Sequence, residues 1–261
     1  TNLRLRLHRE GFSQPLELVL LRDRIRVRSV EASLFPDGVG YIRIKSFQDK
    51  TESFLTKALG ELRKQNGDKE LAGLILDLRG NPGGLLDQAV RVADRFIAQG
   101  EIVSTRGRGG KILDIETAHR AGTEPDYPMV LLVDERSASA SEVLAGALQD
   151  HGRAVVMGTT TFGKGSVQTV VDLDDGSGLK LTVARYYTPS RRSIHGKGIE
   201  PDVKLTKDGG WVIPVLAPAE GTKDEPEDFQ IAAALRALRS WETFQAQRQA
   251  YADEVQTARA E

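Results

Sequence analysis

Leu71-Ala72-Gly73-Leu74-Ile75-Leu76-Asp77-Leu78 runs into Arg79-Gly80-Asn81-Pro82-Gly83-Gly84, and a helical pattern opens at Leu86 and continues to Ala98. A short, nearly unbroken apolar run bounded by a Gly/Pro turn reads as a strand buried on both faces. A helix directly behind such a strand is the repeating unit of an α/β fold.

The neighbouring segments repeat the unit. Upstream, Val39–Ile44 is a strand, and Asp49–Gln65 carries Phe54, Leu55, Ala58, Leu59 and Leu62 at helical spacing before Asn66-Gly67 stops it. Downstream come a strand at Ile102–Thr105, a buried strand at Met129–Val133, a helix at Ser139–Asp150 and a strand at Ala154–Met157. Residues 106–127 are polar and glycine-rich, a surface loop or hairpin. Val167–Leu173 and Leu179–Tyr187 flank Asp174-Asp175-Gly176-Ser177-Gly178, a hairpin signal. At the start, Leu3, Leu5 and Leu7, then Leu16, Leu18 and Leu20, then Ile25 and Val27 alternate as strands with one apolar face. Residues 207–225 read as a linker. From Pro226, an apolar stripe through Ile231, Leu235, Leu238, Trp241, Phe244, Tyr251 and Val255 predicts one helix of about thirty residues. That stripe must bury itself against the core or against another subunit.

Composition narrows the function classes. The 261 residues carry 36 basic and 37 acidic side chains, so the net charge of −1 gives no electrostatic footprint for nucleic acid or anionic lipid. No cysteine is present, which removes disulfides, thiolate nucleophiles and Cys-based metal sites. No apolar run reaches the roughly 18 residues of a membrane span. Thr1-Asn2-Leu3-Arg4 does not read as a signal peptide.

Three strand-end segments concentrate small or reactive residues, where α/β proteins place their sites. Gly80–Gly84 is able to present backbone N–H groups to a developing oxyanion, or is simply a turn that needs glycine. Ser137-Ala138-Ser139-Ala140-Ser141-Glu142 sets a serine on a first helical turn, yet Ser139 and Glu142 also fit a capping box. Thr161-Phe162-Gly163-Lys164-Gly165-Ser166-Val167-Gln168 places a lysine between glycines at the mouth of a strand. A lysine accepts a serine's proton only where desolvation brings its pKa from ~10.4 to near 7–8, roughly 4 kcal/mol of differential solvation. A closed, mostly apolar pocket would supply that; a loop-tip lysine in water would not. Among the histidines, His8 and His119 lie in other segments. His151 ends the serine helix roughly 18 Å from its start, and His195 stays open. No spacing suggests a metal site.

These motifs, with Gly40-Tyr-Ile-Arg-Ile-Lys-Ser-Phe47 and Gly198-Ile-Glu-Pro-Asp202, resemble the carboxyl-terminal processing (tail-specific) proteases, in family order and nearly continuously over residues 30–205. The resemblance implies a ClpP/crotonase-like α/β core and a serine endopeptidase acting at or near the C-terminal region of proteins. It places the nucleophile on Ser139, the lysine base on Lys164 and the glutamine that orients the lysine on Gln168. It gives oxyanion donors at the backbone N–H of Ala140 and of Gly83 or Gly84, with no cofactor and no metal. It divides the chain into 1–28, the last strands of a PDZ domain otherwise missing here; 29–206, the protease core; and 207–261, linker and amphipathic helix. Such a chain reads as a fragment with reduced or misregulated cleavage. The expected partners are proteins with accessible C-termini, a second copy through the C-terminal helix, and an adaptor or activator protein. The expected place is the bacterial periplasm or cell envelope. A silent binding protein of the same fold, or a crotonase-like acyl-transfer enzyme, remains the alternative.

Overall fold

The computed structural model describes residues 1–23, 28–205, 213–217 and 226–260. Its centre is a six-stranded sheet ordered β12-β9-β8-β5-β4-β3. The strands are β3 (Val30–Leu34), β4 (Val39–Ile44), β5 (Gly73–Asp77), β8 (Met129–Val133), β9 (Val155–Gly158) and β12 (Val203–Lys204). All neighbours run parallel except β3, which returns antiparallel along β4.

Burial on both faces explains why β5 and β8 lack polar alternation: all five residues of each are buried. One face takes Leu74, Leu76, Leu131 and Val133, packed under α1 (Thr51–Gln65), α2 (Leu86–Asp94) and α3 (Ala140–Asp150). The other takes Ile75, Val130, Leu132 and Met157, packed under α4 (Phe229–Arg239) and Phe244.

A second, antiparallel sheet is ordered β10-β11-β6-β7, from β6 (Gly100–Arg106), β7 (Ile112–Ala118), β10 (Ser166–Asp172) and β11 (Gly178–Tyr187). The stretch at 106–127 is therefore partly a strand paired back on β6. At the N-terminus, β1 (Asn2–Leu7) and β2 (Leu16–Leu21) pair as a separate two-stranded sheet. Ile25 and Val27 lie outside the described residues.

Two expectations change at the C-terminal end. The thirty-residue helix is two helices, α4 and α5 (Trp241–Ala260), broken at Ser240 with φ −123° and ψ 42°. The start is Asp228, not Pro226: the Asp228 carboxylate caps α4 by accepting the N–H groups of Gln230 and Ile231. The stripe then divides. Leu235, Leu238 and Phe244 are buried against this chain's own sheet, whereas Tyr251 is exposed. The supposed linker also packs in part, since Ile213 and Leu216 are buried in the same core; most of 207–225 lies outside the described residues.

Candidate active site

The strand-end segments meet at the C-terminal edge of the parallel sheet, joined by buried polar groups. Asn81, fully buried, holds the first turn. Its Nδ2 donates to Ile44 O at 2.8 Å, its Oδ1 accepts Gly83 N–H at 2.9 Å, and its carbonyl accepts Ala138 N–H at 3.0 Å. Asp134 Oδ1 accepts Gly80 N–H at 2.8 Å. Burial alone raises this carboxyl, but the bonds from Gly80 and Arg136 outweigh it and leave Asp134 below the ordinary aspartate value.

The three serines of the second segment separate by what their hydroxyls do. Ser137 Oγ donates to Leu78 O at 2.9 Å, Ser141 Oγ donates to Asn81 O at 3.0 Å, and both residues are fully buried. Ser139 is half-buried and stands as the N-cap of α3 with φ 58° and ψ −117°. A positive φ on a non-glycine residue costs on the order of 1–3 kcal/mol and persists only where surrounding structure enforces it. Here the enforcement is visible. The capping box is formed, with Glu142 Oε2 accepting Ser139 N–H at 2.8 Å. On the other side, a methyl group added at Gly83 (φ 98°) would lie 2.8 Å from Ser139 Cβ and 3.0 Å from Ala140 N.

Glu142 does more than cap. Its side chain is fully buried and accepts four hydrogen bonds. Oε1 takes the Thr161 hydroxyl and Gly163 N–H, each at 2.6 Å; Oε2 takes Ser139 N–H and Lys164 N–H, each at 2.8 Å. Four donors fill the four lone-pair positions of one carboxylate. Glu142 thus joins the serine turn to the lysine loop through a single oxygen. The sequence marks it only as the partner of a cap; the apolar run around it, Val143-Leu144-Ala145, was the available hint that an acid there is buried.

The closed pocket expected around the lysine is absent. Lys164 and Gln168 are exposed, and Phe162 in the same loop is 67% exposed. The reason is topological: the loop leads into β10, the outer strand of the second sheet. No hydrogen bond among the described residues joins the Lys164 ammonium to Ser139 or to Gln168. Gln168 follows a bulge in β10, opposite Thr182.

The histidines are elsewhere. His151 Nε2 bonds Glu101 O at 2.7 Å, and His119 Nδ1 lies 3.3 Å from Asp94. His195 is exposed, with its backbone against Gly165. No group of three potential metal ligands occurs among the described residues.

Comparison with known proteins agrees with this architecture. Residues 38–205 match Peptidase family S41. A carboxy-terminal-processing protease of Bartonella bacilliformis is 46% identical over 203 residues, covering 78% of this chain and 46% of that protein. A carboxyl-terminal-processing protease of Synechocystis sp. is 39% identical over 242 residues, 91% of this chain and 53% of that protein. The solved photosystem II D1 C-terminal processing protease superposes with a TM-score of 0.64 at 36% identity, covering 90% of this chain and 59% of that one. The chain spans about half the length of the curated relatives it matches. On the match over residues 38–205 and the identity along most of its length, the chain belongs to peptidase family S41.

Proposed function

We propose that the chain is a serine endopeptidase that cleaves proteins at or near their C-terminal region, using Ser139 and Lys164. The observation that most supports this is the shared acceptor: Glu142 Oε2 takes the N–H of Ser139 and that of Lys164. The amide groups of nucleophile and base are thereby fixed relative to one another, while Ser139 is the one serine of its segment not fully buried.

In this reading the neutral Lys164 amine takes the Ser139 proton as Oγ bonds to the scissile carbonyl carbon. The C–N bond then breaks, and the ammonium returns its proton to the leaving amine. Water, activated by the same amine, opens the ester and restores the serine. The oxyanion meets Ala140 N–H at the start of α3 and the N–H of Gly84. Gly84 suits this better than Gly83, whose N–H is already given to Asn81. Because Lys164 is exposed in the free chain, the dry surroundings it needs come from the bound peptide, which lies over the loop beside Phe162 and excludes water. Gln168 orients the amine once that peptide is in place.

The leucines of β1 and β2 support the reading of residues 1–28 as PDZ strands. Register places Leu3 opposite Leu20, Leu5 opposite Leu18 and Leu7 opposite Leu16, a six-leucine face on which Leu7, Leu16, Leu18 and Leu20 are exposed. Such a module binds C-termini by strand addition. The same reading places the enzyme in the bacterial periplasm or cell envelope, and assigns the exposed side of α5 to subunit contact. An adaptor or activator protein would act through the PDZ strands.

The test is an unfolded casein incubated with the chain, with fragments read by mass spectrometry. Ser139→Ala and Lys164→Ala are each expected to abolish cleavage while keeping the circular dichroism of the parent. Full turnover by either variant removes the dyad.

A further inference from the structure

We infer that Thr161 is a positioning residue for this reaction, through which the turn Ile194–Ile199 sets where Lys164 is presented. The inference rests on the Ser139–Lys164 reading above and concerns a residue that touches neither substrate nor reacting atoms.

Thr161 is 6% exposed, and its hydroxyl is used in both directions. It donates to Glu142 Oε1 at 2.6 Å and accepts Ile199 N–H at 2.7 Å. Its backbone N–H donates to Ile199 O at 3.2 Å, so Thr161 and Ile199 grip one another through both side chain and main chain. Two residues on, Gly163 O accepts Gly196 N–H at 2.9 Å. The fit leaves no slack, since a methyl group at Gly198 would lie 2.4 Å from Thr161 O. The loop bearing Lys164 is therefore held between two fixed bodies, the Glu142 carboxylate on the α3 side and the 194–199 turn on the other.

A hydroxyl has one proton to give and lone pairs to accept with. Only serine or threonine is able to donate to the carboxylate and accept from the amide at one point. Valine matches the shape of threonine but leaves the buried Ile199 N–H without its side-chain acceptor and Glu142 Oε1 with only the bond from Gly163. The loop then loses one of the two anchors that hold the Lys164 backbone beside the Ser139 turn, and displacements on the order of 1 Å at a reacting group are enough to cost ~100-fold. Thr161 is buried, so substrate binding is left largely intact.

The experiment compares the full chain with Thr161→Val, Thr161→Ser and Thr161→Cys on casein peptides, measuring kcat and KM separately together with thermal midpoints. The expected result is a kcat lowered at least 10-fold in Thr161→Val with KM within 3-fold, and a kcat within 3-fold of the parent in Thr161→Ser. If Thr161→Val does not fold, the expected order of kcat is Thr, then Ser, then Cys well below. Equal kcat in all folded variants, or a change confined to KM, overturns the inference and leaves the dyad standing. A parent chain that cleaves nothing overturns the reading on which both rest.

Discussion

Gly83 and Ser139 touch across the site: a methyl group built on the glycine would sit 2.8 Å from the serine Cβ, and 2.6 Å from the Ala138 carbonyl. Gly83 is also at φ 98°, where an L side chain adds roughly 1–2 kcal/mol of strain. Gly83→Ala is therefore expected to displace the serine turn, lowering kcat by on the order of 100-fold, since misplacement of the proposed nucleophile is costly. Turnover of casein together with the thermal midpoint decides it. A folded variant within 3-fold of the parent sinks the proposed contact.

Glu142 is expected to tolerate no amide. Glu142→Gln would point an NH₂ group at two of the four donors it now accepts, exchanging attraction for repulsion in a fully buried place. Hydrogen bonds to a charged group contribute about 1.5–3 kcal/mol each, and losing two should destabilise the chain by about 3 kcal/mol or more. Chemical denaturation reads the loss, and a midpoint unchanged from the parent contradicts the clamp.

Asp228 holds α4 twice, as its N-cap and as the partner of Arg79, whose Nη1 lies 3.0 and 2.8 Å from the two carboxylate oxygens. Arg79 in turn grips buried Asp77 at the end of β5, just before the turn that carries Gly83. Asp228→Ala should cost about 1–3 kcal/mol, since cap and ion pair vanish together. Faster amide exchange in the first turn of α4 is the local signature; unchanged exchange there counts against it.

Acid should weaken the turn that Asp134 holds at Gly80. Asp134 is held below the ordinary aspartate value, so the stability it contributes is fully present above about pH 4. It is lost as pH falls through the depressed folded value. Urea midpoints measured from pH 6 to pH 3 should fall less steeply in Asp134→Asn than in the parent. Parallel slopes would mean that Asp134 is not the group concerned.

How much of this was legible in the residues alone varied with the physics. The buried strand Gly73–Asp77 and the helix Thr51–Gln65 announce themselves through unbroken apolarity and 3.6-residue spacing, signals that local composition carries fully. Short pieces were not visible: Val203–Lys204 is a strand only because β9 lies beside it, and Val30–Leu34 because β4 does. The break at Ser240 has no proline or glycine to mark it, and follows from docking α4 onto the sheet. At the site, the segments containing Gly83, Ser139 and Lys164 were apparent as small-residue turns at strand ends. The positive φ of Ser139 and the three bonds of Glu142 to the lysine loop were not, because the first is enforced partly by Gly83 and the others need residues 19 to 22 positions apart to meet in space. The dry pocket around Lys164 was expected from what a lysine base requires, and Lys164 is exposed instead, on the loop leading into the outer strand β10.

The grip of Ile199 on Thr161 has a temporal consequence. A polypeptide leaves the ribosome from its N-terminus, at about 5–20 residues per second. Ser139 and Lys164 are thus translated well before the amide that braces their loop and before β12, which closes the sheet at residues 203–204. A chain ending before residue 199 holds the Glu142–Thr161 bond without the brace from Ile199. The loop and the edge of the parallel sheet therefore reach their final form only after residues 199–204 have been made.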